Sequence, residues 1–199
     1  MWRRSLGSIS SVELERFLLF SIAVAGKTAW MVEKAMSAFL GNAKHPFAKV
    51  RRLAKQRQLK SKLRQARIGQ YTKIARGFKE IAFSGLDLHN CTLDDLMTIH
   101  GIGPKTARFF LLHTREDARY AVLDTHILAF LREAGHKVPK ATPQGAKRYA
   151  ELEALVLKIA DEQNVSPADF DMAIWMSRAR RNPETGQPDP GVPDGKVGR

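Results

Sequence analysis

Ile99-His100-Gly101-Ile102-Gly103-Pro104-Lys105-Thr106-Ala107, with Leu123-Asp124-Thr125-His126 further on, is the stretch from which the rest of the chain is read. Two glycines one residue apart, followed by proline, suit a helix-hairpin-helix. Gly101 and Gly103 let the backbone turn tightly, because glycine alone reaches positive φ without penalty. Pro104 suits the first position of the next helix, where its missing N–H costs nothing. The turn amides and that helix N-terminus then face outward as a phosphate-binding surface, with Lys105 beside them. Asp124 immediately precedes another apolar helical run, where a carboxylate favours the N-cap. An amine and a carboxylate near a bound nucleic-acid backbone suggest chemistry at a nucleotide sugar.

The flanking sequence reads as helical throughout. Ser10-x-x-Glu13 is a capping-box start for a helix running to about Ala25. A second helix covers Lys27–Leu40 and stops at Gly41. Pro46 opens a long helix to about Ala66, and another runs from Gln70 to Phe83. Thr92-x-x-Asp95 starts the first hairpin helix, Pro104–His113 is the second, and Asp124–Ala134 ends at Gly135. Thr142-Pro143 and Ser166-Pro167 are N-cap plus N1 pairs opening two more helices. Tyr120–Leu123 is expected as a buried connector. Phe109, Phe110, Phe170 and Trp175 are expected in the core and His126 in a structural role. The expected organisation is one helical domain over 1–181, with the hairpin at 92–113 and a disordered, Pro- and Gly-rich tail over 182–199.

The charge is lopsided. The 199 residues carry a formal net charge of +13, which implies a polyanionic partner, nucleic acid ahead of a membrane surface. From Lys34 through Lys79 no Asp or Glu occurs, whereas an ordinary helix surface mixes signs. Arg51, Arg52, Lys55 and Lys73 in this run, with Lys27 just before it, are candidate DNA contacts beside Gly101, Gly103 and Thr106 of the hairpin. Cys91 is the only cysteine, which excludes an internal disulfide and a four-cysteine iron–sulfur cluster and fits a reducing, cytoplasmic setting. The six histidines show no zinc-ligand spacing, so no metal site and no cofactor are expected. Trp2-Arg3-Arg4 before the apolar Phe17–Ala25 mimics a secretory signal. Glu13, Glu15 and Arg16 directly before the apolar run argue for a buried first helix instead.

The G-I-G-P-K-T-A hairpin with its lysine, and L-D-T-H nineteen residues after that lysine, resemble the HhH-GPD superfamily of DNA glycosylases, which includes endonuclease III and the 8-oxoguanine glycosylases. The resemblance is strongest over about 92–134 and extends by helix pattern over about 11–180. It implies an all-α bundle of two helical lobes with a cleft between them. It further implies a monomer acting on double-stranded DNA with a damaged or modified base, in the cytoplasm, nucleoid or nucleus. Lysine-bearing members are bifunctional: the lysine, here Lys105, attacks the sugar and the strand is nicked, while the aspartate, here Asp124, stabilises the cationic sugar and helps activate the lysine. The absent cysteines point to the compact 8-oxoguanine type, so an oxidised purine is the leading substrate.

Two departures keep other readings open. Endonuclease III-like proteins fill the gap left by a flipped base with a glutamine near the end of the early apolar helix; Ser21–Lys27 holds neither Gln nor Asn. A phage-type thymine hypermodification enzyme on the same scaffold is therefore the second reading, and a non-catalytic helix-hairpin-helix DNA-binding protein the third.

Overall fold

The computed structural model describes residues 9–178, 180–181 and 188–189. The described chain contains ten helices and one two-residue antiparallel pairing, so the all-α expectation holds. It divides into two compact units, Met1–Phe110 and Leu111–Arg199, with the boundary inside one helix.

The first unit contains α1 (Ser11–Val24), α2 (Ala29–Leu40), α3 (Pro46–Lys55), α4 (Leu59–Gln65), α5 (Tyr71–Phe83), α6 (Leu93–Met97) and the start of α7 (Pro104–Thr114). α1 begins at the expected capping box: the Glu13 amide donates to Ser10 Oγ at 3.3 Å, and the Ser10 amide donates to Glu13 Oε2 at 2.9 Å. The α1 side chains Leu14, Phe17, Leu18 and Leu19 are buried, as are Phe39 of α2 and Phe78 of α5, whose rings lie 6.0 Å apart. Phe110 is buried and Phe109 half-buried, the latter with its ring 5.2 Å from Phe17.

The long helix expected from Pro46 to about Ala66 is instead two helices, broken at Gln56–Gln58. In one continuous helix, Leu59 and Leu63 would point roughly 160° away from Phe47, Val50 and Leu53, because each residue turns the chain by about 100°. The break lets all five side chains bury. It is closed by Gln58 N–H to Leu53 C=O at 2.8 Å and Arg57 N–H to Ala54 C=O at 3.0 Å, with Arg57 in the left-handed region at φ 56°.

The second unit holds the remainder of α7, then α8 (Thr125–Glu133), α9 (Ala146–Glu162) and α10 (Pro167–Arg178). Its core is Leu123, Leu128, Leu131, Tyr149, Leu152 and Phe170 with their neighbours. Of the connector expected over Tyr120–Leu123, Ala121, Val122 and Leu123 are buried and Tyr120 is half-buried. The Tyr149 hydroxyl anchors the connector by donating to Ala121 C=O at 3.0 Å and accepting from the Leu123 amide at 3.2 Å. Phe170 packs edge-on against Phe130, as expected for core, while Trp175 is half-buried.

Ser166 caps α10, receiving the Asp169 amide at 3.1 Å. Thr142-Pro143 does not open α9, which starts at Ala146 after Gly145. The Thr142 hydroxyl donates instead to Leu123 C=O at 2.7 Å, tying the connector down rather than capping a helix. Arg180–Arg181 pair antiparallel with Pro188–Asp189, an element the sequence did not suggest. Apart from Pro188 and Asp189, the tail expectation for 182–199 lies outside the described residues.

Candidate active site and nucleic-acid interface

The hairpin is held from below by apolar side chains. Leu96, Ile99 and Ile102 are buried, so the turn between α6 and α7 is pinned at both ends. Thr92 and Asp95 form the expected capping box at the start of α6. Ile102 N–H closes the turn onto Ile99 C=O at 3.0 Å, and Gly101 takes φ 88°, a conformation that favours glycine. Pro104 is the first residue of α7 and Lys105 the second. The amides of Gly101, Gly103, Lys105 and Thr106 have no acceptor among the described residues. Four donors on one turn at a helix N-terminus suit an anionic oxygen. Lys105 is half-buried and makes no hydrogen bond or ion pair to a described residue. Thr106 is buried, and what it turns toward a phosphate is its amide.

Helix α5 supports the hairpin through residues that the motif reading passed over. Gly77 lies so close that a Cβ there would stand 2.4 Å from the His100 carbonyl oxygen. Glu80 Oε2 accepts the His100 amide at 2.7 Å while its Oε1 accepts Arg76 Nε at 2.8 Å. The Arg76 bond, then the His100 amide, hold the Glu80 carboxyl below the usual glutamate range. Both residues left a trace in the sequence. Gly77 is a glycine inside a helix, which needs a packing reason, and Glu80 is the first acid after the acid-free run.

Around this support the expected basic residues take different positions. The Lys73 Cε lies 3.8 Å from where a Gly101 Cβ would be. Lys27 donates to Ala23 C=O at 3.0 Å and Ile68 C=O at 2.9 Å, so two of its three ammonium protons serve the fold. Burial, then the charge of Lys73, push the Lys27 amine below the usual lysine range. Arg51 donates to Ala82 C=O at 2.7 Å. Arg51, Arg52 and Lys55 line one shallow depression along α3 with Ala48 and Gln56.

Asp124 belongs to the second unit. It is the N-cap of α8, with Oδ1 accepting the His126 and Ile127 amides at 2.9 Å each. The Asp124 amide itself donates to Val122 C=O at 2.7 Å, so the buried connector sets the carboxylate's position from behind. His126 is 3% exposed with Nε2 unpartnered among the described residues, consistent with a structural place in α8. Thus the structure gathers Gly101, Gly103, Lys105, Thr106 and Lys73 at the hairpin. It sets Arg51, Arg52 and Lys55 on α3 and carries Asp124 on separate, rigidly capped backbone.

Comparison with solved structures supplies the fold. The crystal structure of the 8-oxoguanine DNA glycosylase of Methanocaldococcus jannaschii aligns with a TM-score of 0.66 at 24% identity, over 85% of this chain and 79% of that one. That of Thermotoga maritima aligns with a TM-score of 0.64 at 24% identity, over 83% and 79%. The chain has the 8-oxoguanine DNA glycosylase fold. A structure of the M. jannaschii 8-oxoguanine glycosylase/lyase in complex with a 15mer DNA containing 8-oxoguanine aligns with a TM-score of 0.63 at 25% identity, over 85% and 82%. By sequence, the chain is 37% identical over 78 residues to an 8-oxoguanine DNA glycosylase/AP lyase of T. maritima, 38% of this chain and 36% of that protein. It is 31% identical over 114 residues to the M. jannaschii 8-oxoguanine DNA glycosylase/AP lyase, 55% and 54% respectively. The sequence matches therefore span about a third to a half of these relatives' lengths. No family model matches the chain. No described helix is long and apolar enough to cross a membrane.

Proposed function

We propose that this protein is a bifunctional DNA glycosylase/AP lyase that excises an oxidised purine, 8-oxoguanine first among them, and nicks the strand by β-elimination. The observation that carries this reading is Lys105. It is an unengaged amine at the second position of a hairpin helix whose free amides suit phosphate, in a chain similar to named 8-oxoguanine DNA glycosylase/AP lyases. Its partner is double-stranded DNA carrying the damaged base, met by a monomer wherever DNA is housed.

A base inside a duplex is out of reach, so the nucleotide is flipped out before reaction. The hairpin amides hold the backbone while the Lys105 amine attacks C1′ and the bond from C1′ to the base nitrogen breaks. Asp124 stabilises the positive charge that develops on the sugar and assists loss of a proton from the lysine. The departing base takes up the proton that the lysine loses, and the glycosylamine left behind opens, with O4′ protonated, to a Schiff base between Nζ and C1′. Loss of a C2′ proton then expels the 3′ phosphate, and water releases the sugar remnant and restores the free amine.

The test is incubation with duplexes bearing 8-oxoguanine or another single lesion, plus borohydride. A trapped covalent adduct on the 8-oxoguanine duplex with a nicked strand is expected. A change in base mass without cleavage would mean base modification, and binding alone would mean a passive DNA module.

A further inference from the structure

Four helices of this chain end in the same way, and two of them use a residue that this ending does not favour. The closing pair of bonds, with one residue in the left-handed conformation, recurs after α3, α4, α8 and α9. That position prefers glycine, then asparagine, because a Cβ crowds the backbone there. In the second unit it is filled as expected, by Gly135 at φ 87° after α8 and Asn164 at φ 54° after α9. In the first unit it is filled by Arg57 at φ 56° after α3 and Arg67 at φ 58° after α4.

Nothing in the fold accounts for the two arginines. Both are exposed, and neither guanidinium makes a hydrogen bond or ion pair to a described residue. Both fall in the stretch from Lys34 to Lys79 that has no acidic residue to neutralise them. They flank α4, which at seven residues is roughly 10 Å long, and Lys60, Lys62 and Arg64 are exposed between them. Phosphates on one strand of a duplex advance by about 3.4 Å along the axis while winding around it, so an edge of this length meets about two of them. A left-handed residue at matching positions, each carrying a guanidinium with no partner in the fold, calls for a role outside it.

We propose that Arg57 and Arg67 are the ends of a second phosphate-binding edge, built on α4, that grips duplex DNA in addition to the hairpin. The choice of DNA as the polyanion rests on the glycosylase reading above. Arginine suits the task because its guanidinium stays charged and forks onto phosphate oxygens.

The test is Arg57→Gly and Arg67→Gly, singly and together, in the full chain. Glycine relieves the strain, so melting temperature should hold or rise by about 2–4 °C per site, while binding weakens. For the double variant, the Kd for an undamaged duplex near 0.1 M salt should rise about tenfold. The log–log salt slope should become shallower by about 2, one phosphate contact per arginine. A double variant with wild-type Kd and slope overturns the proposal, as does a fall in melting temperature that accounts for the lost binding. Lost affinity for a structured RNA with duplex DNA binding intact overturns it too. Because the readout is undamaged DNA, a wild-type protein that binds duplex but forms no adduct would sink the glycosylase reading and leave this edge standing.

Discussion

Asp124 does two jobs that substitution can separate. As N-cap it receives two amides of α8, and as a carboxylate it carries charge. Asp124→Asn keeps the cap and removes the charge, so stability should hold while single-turnover excision slows by orders of magnitude. Asp124→Ala should lose excision and about 1 kcal/mol of stability as well. Unchanged excision in the Asn variant would reduce Asp124 to a cap. At Lys105 the expectation is sharper. Lys105→Gln should abolish adduct trapping and nicking yet bind duplex within several-fold of wild type, because the phosphate-facing amides belong to the backbone. Adduct at wild-type yield would exclude this lysine as the nucleophile. Both residues were legible in the sequence, since each sits at a helix start announced by its neighbours. Gly77 and Glu80 were not, because their importance lies in a carbonyl and an amide of His100, twenty or more residues away.

Helix α5 and the hairpin meet through that carbonyl and that amide. An interior helical Gly→Ala change normally stabilises by about 1 kcal/mol. At Gly77 the new methyl would stand 2.4 Å from a backbone oxygen that cannot rotate away. Overpacking of this kind costs about 1–3 kcal/mol, so Gly77→Ala should destabilise on balance and weaken duplex binding with it. A rise in melting temperature would show that the hairpin can shift freely. Glu80 adds a pH dependence to the same junction. Its carboxyl lies below the ordinary range, so the folded state holds the proton less tightly than the unfolded chain. Its stabilising contribution is complete above the ordinary glutamate range and fades as pH falls through the lower folded value. The protection of the His100 amide, its exchange rate relative to the intrinsic rate at each pH, should therefore fall at acid pH in wild type. In Glu80→Gln that added acid step should vanish, and its survival there would show another group to be responsible. The helix pattern around this junction was largely legible. The α3–α4 break was missed because a polar run suited a continuous helix, and only the burial of Leu59 and Leu63 requires the chain to turn.

Across the whole molecule, the positive charge should appear as salt-sensitive DNA binding. With about five to eight phosphates neutralised, the log–log slope should lie at roughly −4 to −7, and a slope near zero would remove the Lys34–Lys79 surface from the interface. The all-α class, the hairpin, the capping boxes at Ser10 and Thr92 and the cap at Asp124 were determined by the sequence alone. Each depends on residues within a few positions of one another, where side-chain size, φ preference and amide capping act directly. Only the tertiary structure decided which cations remain for a partner. Lys27 and Arg51 read like their neighbours, yet each commits a proton to a distant carbonyl, that of Ile68 and of Ala82. Arg57 and Arg67 read like ordinary charge and are held exposed at strained helix ends. A local pattern records that a residue is basic. The carbonyl that accepts its proton in a hydrogen bond is brought up by a distant part of the chain, and that encounter is made only by packing.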